Sequence, residues 1–156
     1  MSEFSDWYMA FRGELEDLVF ASAEELQTSW RTVALEGVLE IELAELSKIL
    51  LGEDHKYESE LLHPEGARIH DTFSDDITSQ PAEAGIYVVR ISDALVDAVA
   101  RIEDRDVAAI AGAWRGRAKQ LRGRSVAEVA TTLAEMRRFA RDALRLGKMV
   151  VNLFEV

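Results

Sequence analysis

Three histidines and several carboxylates lie in one stretch of the sequence, residues 53–84, and these side chains are the best suited to chemistry. Imidazole and carboxylate groups bind Zn²⁺, and a bound metal ion lowers the pKa of its water ligand. His63, His70 and Asp71 therefore define one hypothesis, a metal-dependent hydrolase. Because His63 and His70 are seven residues apart without an HExxH pattern, the spacing matches no established metal motif. We predict no metal ion, no cofactor and no catalytic residue.

Other reaction classes have less support. The chain has no cysteine, no GxSxG and no Walker A pattern, so the sequence offers no signature of thiolate, serine or nucleotide hydrolysis. The acids of residues 71–76 lack the alternation and the glycine of a calcium-binding EF-hand loop. The sequence thus favours a non-enzymatic role.

The carboxylates of residues 53–84 have a second interpretation, recognition of a partner. The stretch contains both prolines and little periodicity, which indicates a long irregular acidic loop. Loops of this length in compact domains are often functional. We predict that its acids contact a partner protein, and the predicted binding residues are Asp54, Glu58, Glu60, Glu65, Asp71, Asp75 and Asp76.

Charge is distributed unevenly along the chain. Residues 1–100 carry six basic and 22 acidic side chains, whereas residues 101–156 carry 12 basic and seven acidic, for a net charge of −11. This excess disfavours a nucleic-acid partner, because phosphate contacts need basic surfaces. One basic stretch resembles a phosphate-contact strip beside a stacking residue, Trp114. The alternative is that these arginines lie against the acidic first half; the stretch comprises Arg115, Arg117, Lys119, Arg122 and Arg124.

Length and composition indicate one domain covering residues 1–156, since 48 % apolar residues suffice for a continuous core. The first residues have no basic segment before an apolar one, and no apolar run is long enough to cross a membrane. With the absence of cysteine, these features lead us to expect a cytoplasmic protein with no membrane partner.

The second half of the chain has clear element signals. Residues 86–91 form a β-branched run typical of a strand, and Ser92 is a good N-cap for a helix continuing to Ile102. Apolar spacing predicts a second helix over 107–121. A capping box at Ser125 begins a long helix that ends at Gly147, with a predicted apolar stripe of Val126, Val129, Leu133, Met136, Ala140, Ala143 and Leu144. The terminal residues 149–156 predict a strand that pairs within a sheet.

The first half is less regular. The aromatic cluster Phe4, Trp7, Tyr8 and Phe11 favours a first strand. The set Trp7, Tyr8, Phe11 and Trp30 either fills the core, as such residues more often do, or forms an exposed interface patch. Residues 22–30 predict a short helix. Residues 38–41 alternate like a short strand, whereas residues 42–51 have helical spacing that ends at Gly52. The fold class is therefore α+β: a mainly helical single domain with a small β-sheet that includes the C-terminal strand.

This order of elements resembles that of the YfbM-like family, small bacterial proteins of unknown function. The resemblance covers residues 38–156: an apolar helix ending in glycine (43–52), a strand running into a helix (86–102), and a long helix followed by a terminal strand (136–156). It implies an α+β fold and transfers no activity or site residues.

These observations favour an acidic protein-binding module with a partner that carries a basic surface. An immunity protein that neutralises a basic toxin is one concrete form, because opposite charges accelerate association. The alternative is the metal-dependent hydrolase, and a homo-oligomer joined through acidic and basic faces is a third interpretation.

Overall fold

The computed structural model describes residues 5–21, 23–62 and 86–155, and its centre is an antiparallel sheet of five strands in the order β2-β1-β5-β4-β3. The C-terminal strand β5 lies in the middle of this sheet. More residues lie in helices than in strands. The structure therefore confirms a mainly helical α+β fold whose sheet includes the C-terminal strand. The strands are β1 (Ser5–Ala10), β2 (Thr32–Ala34), β3 (Glu60–Leu62), β4 (Ile86–Arg90) and β5 (Met149–Glu155).

Six α-helices are described, and the predicted capping residues set several of their ends. Ser92 Oγ accepts a hydrogen bond from Leu95 N at 3.2 Å, and Ser125 and Glu128 form the predicted capping box. Gly147 ends the long helix in the left-handed conformation, with φ of 69°. The helices are α1 (Leu15–Phe20), α2 (Ala23–Ser29), α3 (Glu40–Leu51), α4 (Asp93–Ala100), α5 (Val107–Arg117) and α6 (Val126–Leu146).

Each face of the sheet has its own apolar cluster, because successive strand side chains point to opposite faces. Trp7 and Met9 of β1 lie with Val150 and Phe154 of β5 in the larger cluster, which α3, α4, α5 and α6 complete. Tyr8 and Ala10 lie in the smaller cluster, which Leu18 of α1 and Leu26 of α2 cover.

Two predictions for the first half are corrected. The strand predicted over residues 38–41 is wrong, because Leu39 is the N-cap of α3 and its N–H donates to the Glu42 carboxylate at 3.0 Å. The strand of this region is β2, an edge strand that the sequence analysis missed. Trp7 and Tyr8 are buried in the core, so an interface patch is wrong for them, while Phe11 is 49 % exposed. Phe4 and Ser22 lie outside the described residues.

Other boundaries differ by smaller amounts. The helix predicted over 107–121 ends at Arg117 and is followed by a 3₁₀ turn at Lys119–Leu121. In α6, Val126 and Leu144 are exposed, whereas Phe139 is buried and takes a place in the core. The predicted irregular stretch contains strand β3.

We predict opposite effects for alanine at two glycines. Gly147→Ala should lower the free energy of unfolding by about 1–2 kcal/mol, because a Cβ disfavours the left-handed conformation. Gly116→Ala, in α5, should raise it by roughly 0.5–1 kcal/mol, because a Cβ there meets no atom within 4 Å and alanine favours helix. Urea unfolding measures both, and equal effects at the two positions would contradict the assigned cap.

Candidate functional site

The predicted binding residues are only partly covered by the structure. Asp54, Glu58 and Glu60 are exposed on the segment that follows α3. The remaining predicted acids, Glu65, Asp71, Asp75 and Asp76, lie outside the described residues. The same holds for His63 and His70. Within ranges 5–21, 23–62 and 86–155, no three histidine, aspartate or glutamate side chains are placed to hold a metal ion.

Glu58 and Glu60 share an open cleft of about 300 Å³, which we call the β3–α4 cleft. Arg90, at the end of β4, lies in the cleft and donates to both oxygens of Asp93 at 3.0 and 2.9 Å. Asp93 is the first residue of α4, where the helix dipole favours an acid. The cleft is lined by Glu58, Ser59, Glu60, Arg90, Ile91, Ser92 and Asp93, so three carboxylates and one guanidinium group are among the described residues of its wall.

A buried polar cluster lies behind this cleft. Ser59 Oγ donates to Glu40 Oε2 at 2.8 Å, which ties the segment after α3 to the first residue of that helix. Glu40 Oε1 and the Tyr57 hydroxyl are buried and have no hydrogen-bond partner in the described part of the chain. Burial raises the pKa of Glu40, although the hydrogen bond from Ser59 opposes the shift. Burial and the nearby Glu40 carboxylate raise the pKa of Tyr57, which keeps its phenol protonated.

The cluster has the residue types of an acid–base site, but a substrate cannot reach its buried oxygen atoms. A carboxyl group with a raised pKa suits proton transfer near neutral pH. A general base must, however, come within hydrogen-bond reach of the substrate proton. Neither Glu40 Oε1 nor the Tyr57 hydroxyl reaches the surface, and neither residue lines the cleft. The geometry therefore supports a structural role for Glu40, which holds the segment that carries Glu58 and Glu60.

A second concave surface, which we call the α3–α4 groove, was missed from sequence. It measures about 360 Å³ and has an apolar floor contributed by the ends of α3 and α4 and by α5: Leu50, Leu51, Ala98, Ile102 and Ile110. Its rim carries Asp97, Arg101, Glu103 and Asp106. Helical periodicity identified several of these apolar residues as core, but it cannot show that three elements leave a gap between them.

Several residues of the basic stretch are engaged within the chain. Trp114 is fully buried, and its indole Nε1 donates to the Glu42 carbonyl at 2.8 Å, so it offers no stacking face. Arg117 pairs with Glu45 at 2.9 Å and with Glu53. Arg115 donates to the carbonyls of Arg122 and Arg124.

Arginines of the long helix α6 are also engaged within the chain. Arg141 donates to the carbonyls of Ala100 and Ile102 at 2.7 and 2.9 Å, and Arg137 donates to the same Ile102 carbonyl. These carbonyls end α4, where backbone acceptors lack helical partners. The interpretation that basic residues lie against the acidic first half is confirmed for Arg117 and for Arg124, which contacts Glu36. Arg137 and Arg141 instead donate to carbonyls at and just after the end of α4.

Comparison with protein-family models, curated proteins and solved structures found no match. The resemblance to the YfbM-like family is therefore untested and stays a prediction. Among the helices that the structure describes, none is long and apolar enough to cross a membrane.

We predict that Glu40 makes the protein less stable as the pH rises. The pKa of Glu40 is higher in the folded than in the unfolded state, so the folded chain binds more protons at pH values between these two pKa values. The free energy of unfolding is therefore greatest below the unfolded-state pKa and falls as the pH rises through the folded-state pKa. Glu40→Gln keeps an oxygen that can accept from Ser59 and should show a smaller loss of unfolding free energy between about pH 4 and about pH 8.

The matched control is Glu53→Gln. The hydrogen bond from Arg117 lowers the pKa of Glu53, so its stabilising contribution is present above the ordinary pKa and is lost as the pH falls. The two variants should therefore change the pH dependence of urea unfolding in opposite directions. A Glu40→Gln profile parallel to that of the unmodified chain would contradict burial of this carboxylate.

Proposed function

We propose that this protein is a non-enzymatic binding module for a protein partner with a basic surface, and that the β3–α4 cleft belongs to its recognition surface. The observation that carries the proposal is the internal use of the guanidinium groups. Arg117, Arg137 and Arg141 contact acids or carbonyls of the chain itself, so these side chains do not form a free basic surface beside the acidic one.

At the β3–α4 cleft, acidic side chains outnumber basic ones among the described lining residues. Glu58 and Glu60 are exposed, and Arg90, the one cation among the described residues that line the cleft, is held by Asp93. A lysine or arginine of a partner would meet Glu58 and Glu60 without displacing an existing ion pair of the cleft. Complementary charge of this kind raises association rates and selects against acidic partners.

A cytoplasmic location and an immunity-type role are part of this proposal as its most specific form. Both are prompted by the size, the acidity and the lack of cysteine. The hydrolase alternative depends on His63, His70 and Asp71, which lie outside the described residues, and no observation on the described part of the chain favours it.

The test is capture of a partner from a host lysate at low and high salt, with the double variant Glu58→Gln/Glu60→Gln beside the unmodified chain. We expect a basic protein that is retained at low salt and released at high salt. The double variant should weaken its binding about fivefold, because each exposed charge pair contributes up to about 1 kcal/mol.

The matched control is Glu24→Gln/Glu135→Gln, which removes two exposed acids outside the cleft and changes the net charge equally. It should leave affinity within about twofold of the unmodified chain. Equal losses for the two double variants would show a general charge effect and refute the cleft as the recognition surface. A captured partner that is acidic, or whose binding is indifferent to salt, would refute the proposed function.

A further inference from the structure

We propose that the α3–α4 groove is an anchor site for one apolar side chain on a basic segment of the partner. This inference rests on the proposed function and adds a second contact region to it. The groove differs from the β3–α4 cleft in its chemistry, since its floor is apolar, whereas the cleft is mainly polar.

The floor of the groove is open enough to receive a side chain. Leu51, the last residue of α3, is 40 % exposed beside Leu50 and Ile110, which are partly buried. Ile102, which also lines the groove, is nearly fully buried. Covering Leu51 would remove apolar surface from water, and such buried anchors carry much of the energy of protein interfaces.

The rim determines which kind of segment fits. Three carboxylates and one guanidinium group line the groove, and Arg101 is already paired with Asp97 at 3.0 Å. Glu103 is paired with Arg105 at 2.7 Å, while Asp106 is exposed and has no ion pair among the described residues. The C-terminal end of α3 also lies at this groove, through Leu50 and Leu51, and helix C-termini favour cations.

These features together select a basic amphipathic segment. An apolar side chain would cover Leu51 on the floor, and a flanking lysine or arginine would pair with Asp106 and lie near the C-terminal end of α3. Nucleic acids and anionic lipid surfaces carry phosphates, which the rim repels. A second copy of this chain is disfavoured because each copy carries a net charge of −11.

The experiment uses two short peptides of equal length and equal positive charge as probes, one of leucine and lysine and one of serine and lysine. Fluorescence anisotropy of each labelled peptide with the full chain gives its affinity. We expect the leucine peptide to bind at least tenfold more tightly than the serine peptide. Leu51→Ser should reduce only the leucine peptide's affinity, by about five- to tenfold.

Ile41→Ser is the matched control, because Ile41 lies on the same helix, is 72 % exposed and does not line the groove. It should leave both affinities unchanged. Asp106→Asn should weaken both peptides about two- to fivefold. Equal affinities of the two peptides, or equal losses for Leu51→Ser and Ile41→Ser, would overturn the anchor site.

The same titrations separate this inference from the proposed function. The lysine-dependent part of binding, reported by the serine peptide and by Glu58→Gln/Glu60→Gln, tests the acidic surface. The leucine-dependent increment tests the groove alone. Self-association of the unmodified chain in sedimentation that Leu51→Ser abolishes would assign the groove to a second copy and refute the basic segment.

Discussion

The position of β5 between β1 and β4 is the constraint on which the rest of the structure depends. Asn152, in the middle of β5, is opposite Trp7 on one side and Val89 on the other. Its buried Nδ2 donates to Ser5 Oγ and to the Asp6 carbonyl at 2.8 and 3.1 Å, so the two ends of the chain meet at one amide. Such non-local pairing costs loop-closure entropy that buried contacts must offset. Placing β4 also places Ser92, which caps α4, and thereby the wall of the β3–α4 cleft.

The second organising feature is the set of ion pairs and hydrogen bonds that arginine side chains make within the fold. Arg117 joins α5 to Glu45 of α3 and to Glu53 beyond it, and Arg137 and Arg141 supply donors to the carbonyls at the end of α4. Guanidinium groups suit both tasks, because they offer several donors in a fixed plane. Part of the basic half of the sequence, Arg117, Arg137 and Arg141, thus contacts acids or carbonyls within the chain. Exposed acids such as Glu58 and Glu60 have no ion pair among the described residues, so an acidic surface and a basic C-terminal half coexist.

Local signals explain which parts of this fold could be predicted from sequence. The caps at Ser92, Ser125 and Gly147 and the apolar run of β4 act over a few residues, and the structure confirms each of them. The strand predicted over 38–41 failed because a glutamate side chain, Glu42, satisfies the backbone of Leu39 and starts a helix where alternation suggested a strand. For the candidate site, exposure of Glu58 and Glu60 was predictable from composition. The burial of Glu40 could not be predicted, because an acid at the start of a helix ordinarily faces water. The α3–α4 groove could not be predicted either, because it exists only once three helices are placed.

Residues 55–60 show how the buried cluster and the exposed acids depend on each other. His55, Tyr57 and Ser59 are partly buried, whereas Lys56, Glu58 and Glu60 are exposed, as expected for an extended segment lying on the protein. A shift of one residue would turn Glu58 and Glu60 inward and expose Tyr57. The hydrogen bond from Ser59 to Glu40 opposes that shift. The unpartnered oxygens of Glu40 and Tyr57 cost stability, since burial removes their water without replacing it. What this cost maintains is the orientation of two carboxylates toward the solvent, which the proposed recognition surface needs.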